Sequence, residues 1–512
     1  MATTHELTSP DARHRARHAA PPRSRPHSGV LLLACLAALF TVVQLLLVVA
    51  PGMGLGWDES VYVSQVSADI PSAFFSAPRS RGVPALVAPV ALLTASTLAL
   101  RVYLAVLSGA ALFLALWLWK PLLGTRVVAL AGLLFSGLWV TLLYGPQAMP
   151  NLWVALVALI AVGCYLRAAA PGRTGRGALA GLGAAFAALT LLRPHDAVWL
   201  ALPLCVAALF LRGRRRLVLL AVIAAGGLLG GAQWVVEAFT AYGGVFARMD
   251  RANEIEGGLG WHLAFADQLS TLDASHTLCR PCDAVWQHKG DAVWWFVLPV
   301  LVAAGVALAA RREGQAPGAR FLPAVCGLSL ALPYLVLIDY AAPRFLLPAY
   351  ALLALPAAQC LLLLPSRVRP ALRPAVTGTV VAVVLAQLVT QQIVLHRAVR
   401  SSTIGNGDYA RMAAELNRLG VRPPCLVTGP MATPVGYQAR CASGQTAGNN
   451  ENMTAAGILR LARTQPVAVL TPRGGQPPAY ARDWPSRPLP NLSYHPGYRV
   501  HLSPQVTATM GG

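Results

Sequence analysis

Eleven apolar runs dominate this chain and leave it few ways to fold. They lie near residues 29–51, 100–119, 127–144, 152–167, 178–192, 197–211, 217–235, 292–310, 321–338, 345–364 and 375–396. A helix needs about 20 apolar residues to cross a hydrocarbon core ~30 Å thick. Inside that core the backbone finds no water, so each run must satisfy its own hydrogen bonds as a helix. Composition agrees: 56% of the residues are hydrophobic and only 12% are charged, where soluble chains carry about 25%. The chain reads as a polytopic α-helical membrane protein with about 11 transmembrane helices.

The basic residues fix an orientation. With the N-terminus inside, the cytoplasmic stretches are the tail, then Lys120/Arg126, Arg167/Arg173/Arg176, Arg212/Arg214/Arg215/Arg216, Arg311/Arg312/Arg320 and Arg367/Arg369/Arg373. These hold 20 Lys and Arg against three acids, Glu6, Asp11 and Glu313. Every short basic loop falls on one side, as the positive-inside rule requires. The runs 178–192 and 197–211 are short, and one long helix competes with a hairpin through RPHD at 193–196. Fusing them would put RGRRR outside, so the hairpin is the reading kept. The net charge of +21 is then mostly a topology signal, and nucleic acid is not an expected partner. The protein is expected in the cell (plasma) membrane, multi-pass, with a cytoplasmic N-terminus and an extracytoplasmic C-terminal domain.

Three regions follow. Residues 1–28 are polar and Arg-rich and read as a disordered cytoplasmic tail. Residues 29–396 form the membrane domain, with large outer loops at 52–98 and 236–291. Residues 397–512 read as a small soluble α/β domain: helix (DYARMAAELNRLG), strand (CLVTG), helix (AAGILRLARTQ), strand (VAVLTP). Five of the nine cysteines lie in apolar runs; Cys279, Cys282, Cys425 and Cys441 lie outside the membrane. An oxidising exterior lets disulfides persist. A Cys279–Cys282 bridge is the simpler reading there; a zinc set of His276, Cys279, Cys282 and His288 is the alternative. Cys425 and Cys441 are candidates for a second bridge.

Two acids, Asp58 and Glu59, stand just past the first run, in GMGLGWDESVY. A carboxylate beside low dielectric has its pKa raised, which suits a general base near neutral pH. The competing reading makes Asp58 only the N-cap of an interfacial helix over 59–70.

A long first span followed by an outer Asp-Glu and a Tyr three residues on resembles the GT-C superfamily of membrane glycosyltransferases. Protein O-mannosyltransferases and lipid A aminoarabinose transferases are the closest patterns. The matching residues are Asp58, Glu59 and Tyr62. The family's next motif is replaced here by SAPRSRGVPALVAP, which keeps a basic residue and a Pro. YGPQAMPNLW is similar to the family's second outer loop, with Asn151 where many members have an acid. LLRPHDAVWLALP and APRFLLPAYALLALP resemble its later basic-Pro segments. The resemblance implies a transferase that takes a sugar from a polyprenyl-phosphate donor at the outer face. The acceptor would be a hydroxyl on a lipid, glycan or protein.

In that reading Asp58 is the general base. Glu59, about 100° round a helix from it, has a supporting role through hydrogen bonds or a metal; a divalent metal is the one cofactor admitted. The phosphate needs cations at headgroup level, and Arg matches it with a planar fork of donors. Arg79, Arg81, Arg193 and Arg344 are the candidates, with Arg101 a weaker one; His195 accompanies Arg193, and Asp196 could pair with it. Each Arg could instead snorkel to the lipid surface. The rival from another class is a transporter or flippase of lipid or sugar. That should show paired halves and acids at mid-membrane, and neither is present in the sequence.

Overall fold

The computed structural model describes residues 26–170, 175–258, 260–280, 282, 285–311, 317–490 and 492–506. Most of the expected tail, 1–25, lies outside them. Among the described residues, eight helices are long and apolar enough to cross a membrane: Gly29–Val49, Thr97–Leu123, Pro150–Ala169, Arg214–Ala241, Lys289–Ala310, Gly318–Val336, Pro343–Arg367 and Pro370–Arg418. Shorter apolar helices at Thr125–Ser136, Arg176–Leu192 and Pro194–Leu209 fall on the remaining expected spans. The span expected at 127–144 is broken. Its first helix stops at Ser136, and a short one, Trp139–Tyr144, follows. The expected hairpin is present. Arg193 is extended (φ −154°, ψ 96°), and Pro194 opens the next helix, as the steric clash before a proline favours.

The bundle is layered by burial. The helix Pro343–Arg367 is central, with 94% of its apolar window buried; Arg214–Ala241 is peripheral at 22%. Arg214–Ala241 packs on Arg176–Leu192 through Gly226 and Gly230. A Cβ at Gly226 would sit 2.4 Å from the Gly183 carbonyl oxygen, and one at Gly230 2.0 Å from that of Ala187. Small residues four apart let two backbones touch, which is how helices gain contact in lipid.

Short helices lie outside the spans. Trp57–Ser64 and Gly82–Ala91 occupy the loop after the first span, and Val245–Ile255 follows Arg214–Ala241. The interfacial helix expected at 59–70 is shorter and starts earlier. Val245–Ile255 has three faces. Arg248 and Ile255 are buried, Phe246 (81% exposed) and Met249 (52%) form an exposed apolar stripe, and Asp250, Arg251 and Glu254 are polar. The Arg248 guanidinium pins it, donating to the carbonyls of Ala77, Trp234 and Arg79 and pairing with Glu237 at 2.9 Å.

The last long helix, Arg373–Arg418, runs 46 residues from the apolar region into the C-terminal unit without a break. That unit holds a five-stranded sheet. Its strands are β1 (Leu426–Thr428), β2 (Ala442–Gly444), β3 (Val467–Thr471), β4 (Ser486–Pro488) and β5 (Arg499–Leu502), in the order β2-β1-β3-β5-β4. β1 pairs in parallel with β2 and β3, while β5 pairs antiparallel with β3 and β4. The expected helices and the strands β1 and β3 are found. Strands β2, β4 and β5 and the helix Ala432–Ala439 are additions.

Candidate active site

The helix Trp57–Ser64 positions both acids, and gives them different work. Its N-cap is Gly56, not Asp58. Glu59, three residues into the helix, turns back and accepts the Gly56 N–H at 2.9 Å through Oε2. The Glu59 carboxylate also accepts from Arg101 Nη2 at 2.8 Å and from the Ala148 N–H at 2.8 Å. Arg101 in turn donates to the carbonyls of Gly54 and Pro146, both at 2.9 Å. Glu59 and Arg101 are each 2% exposed. This is a closed ion pair tying the first span's exit to the next outer loop. Both Glu59 oxygens are occupied by these hydrogen bonds.

Asp58 faces the other way, into a cavity of about 370 Å³. Its Oδ1 accepts from Arg79 Nη2 at 2.7 Å, and its Oδ2 lies 3.5 Å from Arg344 Nη2. Arg193 also lines the chamber. Burial pushes the Asp58 pKa up, but Arg79, Arg344 and Arg193 outweigh it and hold the carboxyl below its ordinary value. This corrects the raised pKa expected from its place by the bilayer: the guanidiniums, not the low dielectric, decide the sign.

The arginines are themselves held. Arg79 donates to the Ser76 hydroxyl and lies 5.9 Å from the Tyr62 ring. Arg344 donates to the Thr277 carbonyl at 3.1 Å and lies 5.3 Å from the Phe345 ring. Arg193 stands 3.4 Å from Asp196 and 5.6 Å from the Tyr334 ring, and Tyr334 donates to Asp196 at 2.6 Å. Fixed guanidiniums around one space suit a phosphate, because they lose little freedom on binding.

Of the residues singled out in the sequence, Asp58, Tyr62, Arg79, Arg193 and Arg344 line this cavity. Two do not. Arg81 is spent on Glu237 (2.6 Å) and Gln65 (2.7 Å), and stacks on Phe75 at 4.0 Å. His195 packs beside Tyr334 and Trp199, ring centres 6.0 and 6.3 Å away. Sequence reasoning missed Glu256, Arg280, Tyr340, Asn449 and Asn450, which complete the wall. The polarity of 236–291 was the available signal for the first two. Nothing marked Asn449 and Asn450, which come from the C-terminal unit.

Cys279 is bonded to Cys282, and Cys425 to Cys441. The alternative zinc set thereby loses its two thiolates. Among the described residues no three His, Cys, Asp or Glu side chains come together as a metal site.

No protein-family model matches the chain, and no curated protein matches it in sequence. Solved structures do match in shape. ArnT from Cupriavidus metallidurans bound to undecaprenyl phosphate superposes with a TM-score of 0.66 at 11% identity, covering 94% of this chain and 98% of that one. The Archaeoglobus fulgidus oligosaccharyltransferase, tethered to an acceptor peptide, gives 0.51 at 12% identity, covering 88% and 69%. Spans, outer helices and terminal sheet together show that this chain has the fold of the GT-C superfamily.

Proposed function

We propose that the protein is an integral membrane glycosyltransferase that moves a sugar from a polyprenyl-phosphate donor to an acceptor hydroxyl on the extracytoplasmic face. One observation carries this reading: Arg79, Arg193 and Arg344 surround Asp58 in a single chamber. The undecaprenyl phosphate bound to ArnT, which shares the fold, supports a polyprenyl phosphate as the ligand. The reaction is a displacement at the anomeric carbon. The acceptor oxygen forms the new bond, and the bond to the phosphate oxygen breaks. The leaving polyprenyl phosphate gathers negative charge, which the guanidiniums stabilise without having to reorganise. Asp58 stays ionised; it orients Arg79 and Arg344 and offers its charge to the anomeric carbon as that carbon turns electron-poor.

Binding of undecaprenyl phosphate to the purified protein tests the reading. Arg344→Ala should weaken it about tenfold or more, the worth of one charge-assisted contact; unchanged affinity removes Arg344 from the site. Asp58→Asn should cut transfer about 100-fold or more while expression persists. The proposed orientation is read by cysteines placed near 58 and 450 and labelled in intact cells. Labelling only after permeabilisation overturns it.

A further inference from the structure

A transfer to a hydroxyl needs somewhere to put a proton, and Asp58 is poorly suited to take it, clamped between two guanidiniums. The same chamber holds a second carboxylate, Glu256. Glu256 follows the last turn of the helix Val245–Ile255, where its N–H bonds the Ala252 carbonyl at 2.9 Å. Gly257 and Gly258 then turn the chain away with φ of +89° and +87°, and a Cβ at Gly257 would come within 2.7 Å of Asp339. Asn449 of the C-terminal unit donates to the neighbouring Ile255 carbonyl at 3.5 Å and closes the wall from above. Glu256 is therefore placed by the backbone. Its own carboxylate has no hydrogen bond or ion pair among the described residues, and it lines the cavity.

The geometry points to Glu256 as the general base that deprotonates the acceptor hydroxyl. This rests on the transferase reading above. In the step, the acceptor's O–H proton passes to the Glu256 carboxylate as the acceptor oxygen bonds the anomeric carbon. The bonding pair to phosphate leaves with the polyprenyl phosphate, and Glu256 later returns its proton to water. The chamber thus divides two tasks: the cations and Asp58 serve the leaving group, and a carboxylate without an ion pair serves the nucleophile. The groups facing Glu256 are Arg193 and Asp196 from the hairpin turn, Arg280 from the outer loop and the hydroxyls of Tyr334 and Tyr340. Burial raises its pKa; Arg193 and Arg280 oppose this, Asp196 adds to it, and the net direction is up. A base must be unprotonated to act, so transfer should fall as pH drops through this raised value.

Full-length protein in membrane vesicles of the cells that naturally make it, which carry the acceptor, given a panel of synthetic undecaprenyl-phosphate-linked mannose, glucose and pentoses, provides the test, with release of undecaprenyl phosphate as the readout. Glu256→Gln should lower kcat about 100-fold or more and remove the acid limb of the kcat/KM profile. Its affinity for undecaprenyl phosphate should be no weaker than that of wild type, since the lost charge faces Arg193, and retained binding also shows that it is folded. Glu256→Asp should restore part of the rate and keep an acid limb. A Glu256→Gln protein with wild-type kcat and an intact acid limb overturns the assignment. If instead Asp58→Asn alone erases the acid limb, the base is Asp58 and the transferase reading survives. A wild type that neither binds undecaprenyl phosphate nor releases it from any donor sinks the transferase reading and this inference with it.

Discussion

Adjacent residues Asp58 and Glu59 diverge because a helix turns about 100° per residue. One points into the chamber, and the other completes a buried pair with Arg101. Removing one partner of such a pair strands the other's charge and costs about 3–5 kcal/mol. Arg101→Ala should therefore lower the unfolding temperature in detergent markedly, while Asp58→Asn should leave it near wild type; equal effects would refute the division of labour. The sequence marked both acids but not the guanidiniums that lower the pKa of Asp58. The WDESVY motif shows where carboxylates are, whereas their partners come from residues 79, 101, 148 and 344, and separations that long leave no periodic trace. Arg81 was indistinguishable from Arg79 in SAPRSRG, and only the fold gives Arg81 to Glu237.

Among elements, the apolar runs were legible because length and hydropathy are local properties. The weak points were breaks and short strands. Gly137 and Leu138 interrupt a run that reads as continuous, and three-residue strands such as β2 and β4 carry too little alternation to be seen. β4 also contains Pro488, tolerable because it lies at a sheet edge. The pairing of Arg214–Ala241 with Arg176–Leu192 makes a sharp prediction. Gly230→Val, which drives side-chain atoms into the Ala187 backbone, should sharply reduce folded yield in detergent, whereas Gly378→Val, with open space around it, should not. The three-faced helix Val245–Ile255 makes another. Its exposed apolar stripe predicts a place in the interfacial plane, with a nitroxide at Phe246 reached by oxygen dissolved in lipid and one at Glu254 by a water-soluble nickel chelate. Equal access at both positions would place the helix wholly in water.

At the scale of the whole molecule, two halves with different physics meet at one chamber. The bundle supplies its floor, and the sheet-bearing unit supplies Asn449 and Asn450. That unit is stapled by Cys425–Cys441, which closes a loop with a separation of 16 residues. A loop of this size is worth about 3 kcal/mol against the unfolded chain. Replacing both cysteines by Ala should raise hydrogen exchange in β1 and β3 by about 100-fold; unchanged protection would mean the bridge adds nothing.

The unbroken helix Arg373–Arg418 extends this consequence. At about 1.5 Å per residue its 46 residues make a rod about 69 Å long, more than twice the ~30 Å of hydrocarbon that its lower part has to cross. A rod that long is a lever with its fulcrum in lipid. Tilting it by about 5°, as a slightly thinner bilayer would require, swings the far end by about 4 Å, more than the length of a hydrogen bond.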